Sequence, residues 1–124
     1  MNIVDSCGWL EYFSGGVNAD FFAQPLLDVE HLLVPTICLY EVFKVVRRQR
    51  GKDAALQATA LLHQGREIAL GSDLALYAAK LSEEFSLPMA DAIIYASARL
   101  HSALVWTQDH HFAGLAGVQF IEKI

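Results

Sequence analysis

Positive charge, cysteine, proline and long apolar runs are all scarce in this sequence, and each shortage narrows the class of protein. Nine lysines and arginines against fourteen acids give a formal charge of -5 and a pI near 5.4, which excludes a chain that coats nucleic acid by bulk electrostatics. Two cysteines, Cys7 and Cys38, are too few for a disulfide scaffold and lack metal-ligand spacing, so both read as ordinary buried thiols in a reducing compartment. No apolar run reaches the roughly 18 uncharged residues of a membrane span, and Met1 to Asp5 lacks the basic and apolar regions of a signal peptide. A soluble, cytoplasmic protein without membrane contact is expected. Only three prolines and 54 % apolar residues exclude disordered and collagenous chains. What is there is 124 residues without linker, repeat or low-complexity tract, read as a single domain over 1–124.

Apolar strands are expected at 2–4, 32–34, 68–70, 104–106 and 118–121. Helices are expected at 6–13, at 18–31 with Asn18 as cap and a bend or break at Pro25, and at 37–49, 53–64, 72–85, 89–101 and 111–115. Gly15, Gly51 and Gly65 supply the stops. Very short, wholly apolar strands alternating with helices imply a parallel sheet covered on both faces. The fold class is therefore a doubly wound, three-layer α/β/α sandwich with a short central parallel sheet.

In such sheets the active site lies outside the carboxyl ends of the strands. Asp5 follows the first strand, Glu41 lies one turn into the helix after the second, Asp91 opens the helix from Met89, and Asp109 follows the fourth strand. Each alone has a structural explanation: Asp5 and Asp109 as helix caps, Asp91 favouring a helix dipole, Glu41 paired with Lys44. Yet Glu41 and Asp91 sit in helices that are apolar nearly all round, and no basic residue adjoins Asp5 or Asp91. Crowded acids would hold protons unless a divalent cation neutralised them. An all-oxygen set suits Mg²⁺ or Mn²⁺, whose chemistry with phosphates is phosphoryl transfer by an activated water.

Ile3-Val4-Asp5-Ser6, Glu41 after Val34-Pro35-Thr36, Pro88-Met89-Ala90-Asp91-Ala92 and Thr107-Gln108-Asp109-His110-His111-Phe112 together resemble the successive motifs of the PIN-domain ribonucleases, and more narrowly those of VapC-type toxins of toxin–antitoxin pairs. The resemblance spans nearly the whole chain. It implies a Mg²⁺- or Mn²⁺-dependent endoribonuclease with Asp5, Glu41, Asp91 and Asp109 as catalytic acids. Asp5, Asp91 and Asp109 would be the metal ligands, with Ser6 and Thr107 as supporting hydroxyls. It also implies an RNA substrate, a small antitoxin with a DNA-binding part that brings the pair to operator DNA, and a homodimer.

Five of the nine basic residues fall between Lys44 and Lys52. Lys44 and Arg48 share a helical stripe with Glu41 and are candidates for RNA-backbone contact, although the helix dipole accounts equally well for Arg48, as it does for Arg47 and for Arg50, which points nearly opposite. His110 and His111 match one motif of a different phosphoesterase family but lack its companions, so they read as solvent-facing loop residues. Trp9, Tyr12, Phe13, Phe21, Phe22 and Leu26 are candidates for a groove that receives the antitoxin, the alternative being core. Two rival functions are a non-catalytic PIN partner of a DNA-binding repressor and a phospho-receiver module. The latter is disfavoured because Asp5 is followed by Ser6-Cys7 and the third strand by Gly71-Ser72-Asp73.

Overall fold

A computed structural model of the chain describes residues 1–124. Five parallel strands, β1 (Asn2–Val4), β2 (Leu32–Pro35), β3 (Arg66–Ile68), β4 (Leu104–Thr107) and β5 (Val118–Phe120), form one sheet in the order β3-β2-β1-β4-β5. The helices are α1 (Ser6–Ser14), α2 (Ala19–Leu27), α3 (Thr36–Arg50), α4 (Lys52–Leu62), α5 (Ser72–Phe85) and α6 (Met89–Leu100), with 3₁₀ turns at Val29–His31 and His110–Phe112. The chain leaves β1 toward β2 and β3, then crosses back to β4 on the other side. Right-handed crossovers in opposite directions put their helices on opposite faces. Accordingly α1, α2, α3 and α4 pack together as one layer, and α5 packs on α6 as the other. This is the three-layer sandwich expected from the strand pattern.

β1 is central, and its apolar residues Ile3 and Val4 are sealed, as are Leu33 and Val34 of β2 and Val105 of β4, all buried in the core. The strands differ from expectation at the edge. β3 lies at Arg66–Ile68, two residues before the apolar run at 68–70, with Leu33 opposite Arg66 and Pro35 opposite Ile68. As an edge strand it borders solvent, so Arg66 and Glu67 are tolerated there and the apolar run misleads. β5 stops one residue early, at Phe120.

Pro25 does not break α2. The helix runs through it to Leu27, and the 3₁₀ turn replaces the last expected turn. The Phe21 carbonyl, whose usual N–H partner is absent at Pro25, accepts instead from the Gln24 side-chain amide at 3.4 Å. Asn18 precedes α2 but makes no cap bond. Its amide donates to Gln108 Oε1 at 2.9 Å and to the Glu122 carbonyl at 3.0 Å, tying the α1–α2 turn to the loop after β4. The smaller differences follow the caps: α4 ends at Leu62, Gly71 rather than Ser72 precedes α5, and the expected helix at 111–115 is only the 3₁₀ turn His110–Phe112.

Candidate active site

The sheet order changes direction between β1 and β4, so their carboxyl ends open the crevice where ligands bind in such folds. Val4 lies opposite Trp106 in the register, and the Asp5 N–H continues the ladder to the Trp106 carbonyl at 3.0 Å. That pairing sets Asp5 beside Thr107. The Thr107 hydroxyl donates to Asp5 Oδ2 at 2.8 Å and accepts from the Asp109 N–H at 2.9 Å. Asp5 occupies the cap position of α1, yet its side chain makes no cap bond, so the capping explanation does not account for it. Asp109 does cap, accepting from the His111 N–H at 2.9 Å.

Glu41 and Asp91 arrive from the two helical layers, on α3 and α6, which touch each other. Glu41 does not pair with Lys44. The Ser6 hydroxyl donates to Glu41 Oε1 at 2.7 Å, while Lys44 Nζ lies over the Tyr40 ring, 5.5 Å from its centroid. Arg48 is exposed and Arg50 lines a cleft beside α1 and α4.

The four acids feel one another. Burial pushes the Asp5 carboxyl up to about 6, the Thr107 and Cys7 hydrogen bonds resist this, and Asp109 and Glu41 add to it. Asp91 is pushed up to about 7, first by burial and then by Asp5 and Asp109, with His111 opposing. Two carboxyls are thus held above the ordinary acid range, first by burial and then by the neighbouring acids.

Two residues were misread in the sequence. Cys7 is not merely a packed thiol: Sγ lies 3.2 Å from Asp5 Oδ2, as a donor, and 3.5 Å from Thr107 Oγ1. Its place two residues after Asp5, in the first turn of α1, was the available signal. His111 is exposed but does not simply face solvent. Nδ1 stands 3.0 Å from Asp91 Oδ2 and 3.0 Å from Asp109 Oδ1, and Asp109 foremost raises its pKa. His110 does point outward, pairing with exposed Glu122 at 2.8 Å.

One ligand atom from each of Asp91, Asp109 and His111 lies within 4.8 Å of the others. Asp5 sits deeper beside them. Its Oδ1 makes no hydrogen bond, and because no buried side-chain polar atom lacks a partner, that oxygen is not sealed away. Carboxylate oxygens with one imidazole nitrogen are a donor set for a divalent cation of the Mg²⁺ or Mn²⁺ type, whose charge would relieve the crowding described above.

The expected aromatic groove is not open. Trp9, Phe22 and Leu26 are 3 %, 0 % and 6 % exposed and belong to the core, with Tyr12, Phe13 and Phe21 packed against it. Side chains on short helices over a sheet turn inward because that buries their large apolar area. An open cleft of about 570 Å³ lies instead between α1, α3 and α4, lined in part by Leu10, Phe13, Val46, Arg50 and Leu61, and reaching Cys7 and Gln108 at the edge of the acidic site. No helix is long and apolar enough to cross a membrane.

A family model for the PIN domain matches residues 3–118, and the chain belongs to the PIN-domain family. Its fold is that of the toxin subunits of solved toxin–antitoxin complexes. A toxin–antitoxin complex from Klebsiella pneumoniae superposes with a TM-score of 0.82 at 24 % identity, covering 96 % of this chain and 96 % of that one. VapC20 of Mycobacterium tuberculosis, described as a sarcin-ricin loop cleaving toxin, gives 0.72 at 20 % identity over 95 % and 98 %. VapBC2 from Rickettsia felis, solved bound to a DNA fragment from its promoter, gives 0.73 at 13 % over 98 % and 97 %. No curated protein sequence matches significantly.

Proposed function

We propose that this protein is a divalent-metal-dependent endoribonuclease and the toxin of a toxin–antitoxin module. The observation that carries the reading is the convergence of Asp5, Glu41, Asp91 and Asp109 at the carboxyl edge of a PIN-family sheet, with Asp5 and Asp91 raised to about 6 and about 7. Such crowding is costly to the free protein and is relieved by a cation.

In this reading Asp5, Asp91 and Asp109 hold the cation. When bound, it would supply charge to the scissile phosphate and lower the pKa of the attacking water. Glu41 has Oε1 occupied by the Ser6 hydroxyl, which leaves Oε2 to orient the water and take its proton. Thr107 and Cys7 hold Asp5 Oδ2, turning the other oxygen toward the open site. Lys44 and Arg48 are exposed on the Glu41 helix and would contact the RNA backbone.

The partner we infer is a small antitoxin with a DNA-binding part, acting through operator DNA, with the toxin as a cytoplasmic homodimer. We place the antitoxin segment in the α1–α3–α4 cleft, because an apolar segment seated there ends beside the acids, where an Arg or Lys can meet them. Leu61 is 44 % exposed on the cleft wall. Leu61→Asp should weaken antitoxin binding in calorimetry, whereas unchanged affinity would move the partner elsewhere. The catalytic reading is tested by incubating the purified protein with total RNA and Mn²⁺ and sequencing the new 5′ ends. Discrete ends that vanish with chelator and with Asp91→Asn are expected. Absence of cleavage with either Mn²⁺ or Mg²⁺ would overturn it in favour of the non-catalytic partner role.

A further inference from the structure

We propose that His111 is a nitrogen ligand of the metal site, making it a mixed oxygen–nitrogen centre that prefers Mn²⁺ over Mg²⁺. The inference rests on the metal reading above and deepens it. Its basis is a coincidence of lengths. Ligands of an octahedral ion bound at about 2.1 Å stand about 3.0 Å apart along each edge. His111 Nδ1 lies 3.0 Å from Asp91 Oδ2 and 3.0 Å from Asp109 Oδ1, so the nitrogen already stands at the spacing of an adjacent ligand from each carboxylate, and one ligand atom from each of the three residues lies within 4.8 Å of the others.

The imidazole is held there by backbone. The His111 N–H donates to Asp109 Oδ1 at 2.9 Å, the Asp109 N–H donates to Thr107 Oγ1 at 2.9 Å, and Phe112, the next residue, is fully buried. The turn therefore presents Nδ1 to the carboxylates from a fixed base, while the 54 % exposed ring leaves solvent a route to it. Neutral imidazole offers a lone pair, and nitrogen donors favour Mn²⁺ and later divalent metals over Mg²⁺, which is best served by oxygen alone. The rival account makes the ring only a counter-ion to the two acids. In that case a bound cation displaces it, and removing it strengthens metal binding.

The test uses Mn²⁺ and Mg²⁺ themselves. Wild type, His111→Ala and Asp5→Asn are titrated by calorimetry, and the Mn²⁺ complexes are examined by electron spin-echo envelope modulation. Nitrogen coupling in wild type and its loss in His111→Ala are expected, with Mn²⁺ affinity falling on the order of 10- to 100-fold and Mg²⁺ affinity much less. Should His111→Ala not fold, His111→Asn keeps the side chain's reach with an oxygen donor and must lose the nitrogen coupling and the preference for Mn²⁺. Mn²⁺ bound by wild type and lost in Asp5→Asn, but without nitrogen coupling, overturns the role of His111 and leaves the metal reading standing. Tighter Mn²⁺ binding by His111→Ala does the same. No Mn²⁺ binding by wild type overturns both.

Discussion

The Thr107 hydroxyl donates to Asp5 Oδ2 at 2.8 Å across 102 positions of sequence, and Thr107 Oγ1 in turn accepts from the Asp109 N–H at 2.9 Å. One buried hydroxyl thus orients two acids. Thr107→Val keeps the shape and removes both bonds. It should cost about 1–3 kcal/mol of stability through the orphaned groups and weaken Mn²⁺ binding by roughly 10- to 100-fold. Thr107→Ser should restore both in melting and calorimetry, which a packing role alone would not require.

The metal-free protein should lose stability as pH rises. The folded Asp5 carboxyl titrates near 6, above its ordinary 3.8, so the folded state binds the proton more tightly. Its contribution is complete below about pH 4 and is lost as pH passes 6. Between pH 5 and pH 8 the loss from Asp5 alone is about 1 kcal/mol, with Asp91 acting in the same direction. Urea unfolding at the two pH values in chelator measures it, and Asp5→Asn should shrink the difference.

Mn²⁺ should reverse that trend. Because it binds the ionised acids, it should raise the melting temperature more at pH 8 than at pH 5. At a hundredfold excess over Kd the gain is about 2.7 kcal/mol. A melt with and without chelator checks it, and an equal shift at both pH values would separate metal binding from these carboxyls.

Glu41→Gln should lower the rate of RNA cleavage on the order of 10²- to 10⁴-fold while leaving the Mn²⁺ affinity nearly unchanged. A glutamine still accepts the Ser6 hydroxyl but cannot take a proton. Single-turnover rates beside calorimetric affinities distinguish this from loss of a metal ligand.

Gly8→Ala should destabilise the start of α1. A Cβ there would lie 2.6 Å from the Phe22 ring and 2.6 Å from Val4 Cγ1, and both side chains are fully buried. The overpacking, about 1–3 kcal/mol, outweighs the roughly 1 kcal/mol that alanine gains in helix propensity. Denaturant midpoints measure it, and Phe22→Ala should lose about 3–5 kcal/mol as a core truncation.

The sequence by itself determined the layered architecture and the company of acids. Five short apolar segments separated by helical ones admit little but a covered parallel sheet, and an acid just beyond a strand of such a sheet is carried to its carboxyl edge by chain geometry. For that reason Asp5 and Asp109 were legible before their contacts were, while Glu41 and Asp91 stood out as acids within apolar helices. Only the tertiary structure decided what local pattern does not encode. An edge strand such as β3 has solvent on one side, so its polarity hides it. An aromatic spaced for burial reads alike whether a sheet or a partner covers it, and packing assigned Trp9, Phe22 and Leu26 to the core. Asn18 has the signature of a cap, yet Gln108 and Glu122 compete for its amide from far along the chain. Cys7 and His111 gained their neighbours through the register of β1 against β4 and the turn after it. Which atoms meet there is set by long-range packing, while the residues on either side in sequence report only that a segment is buried.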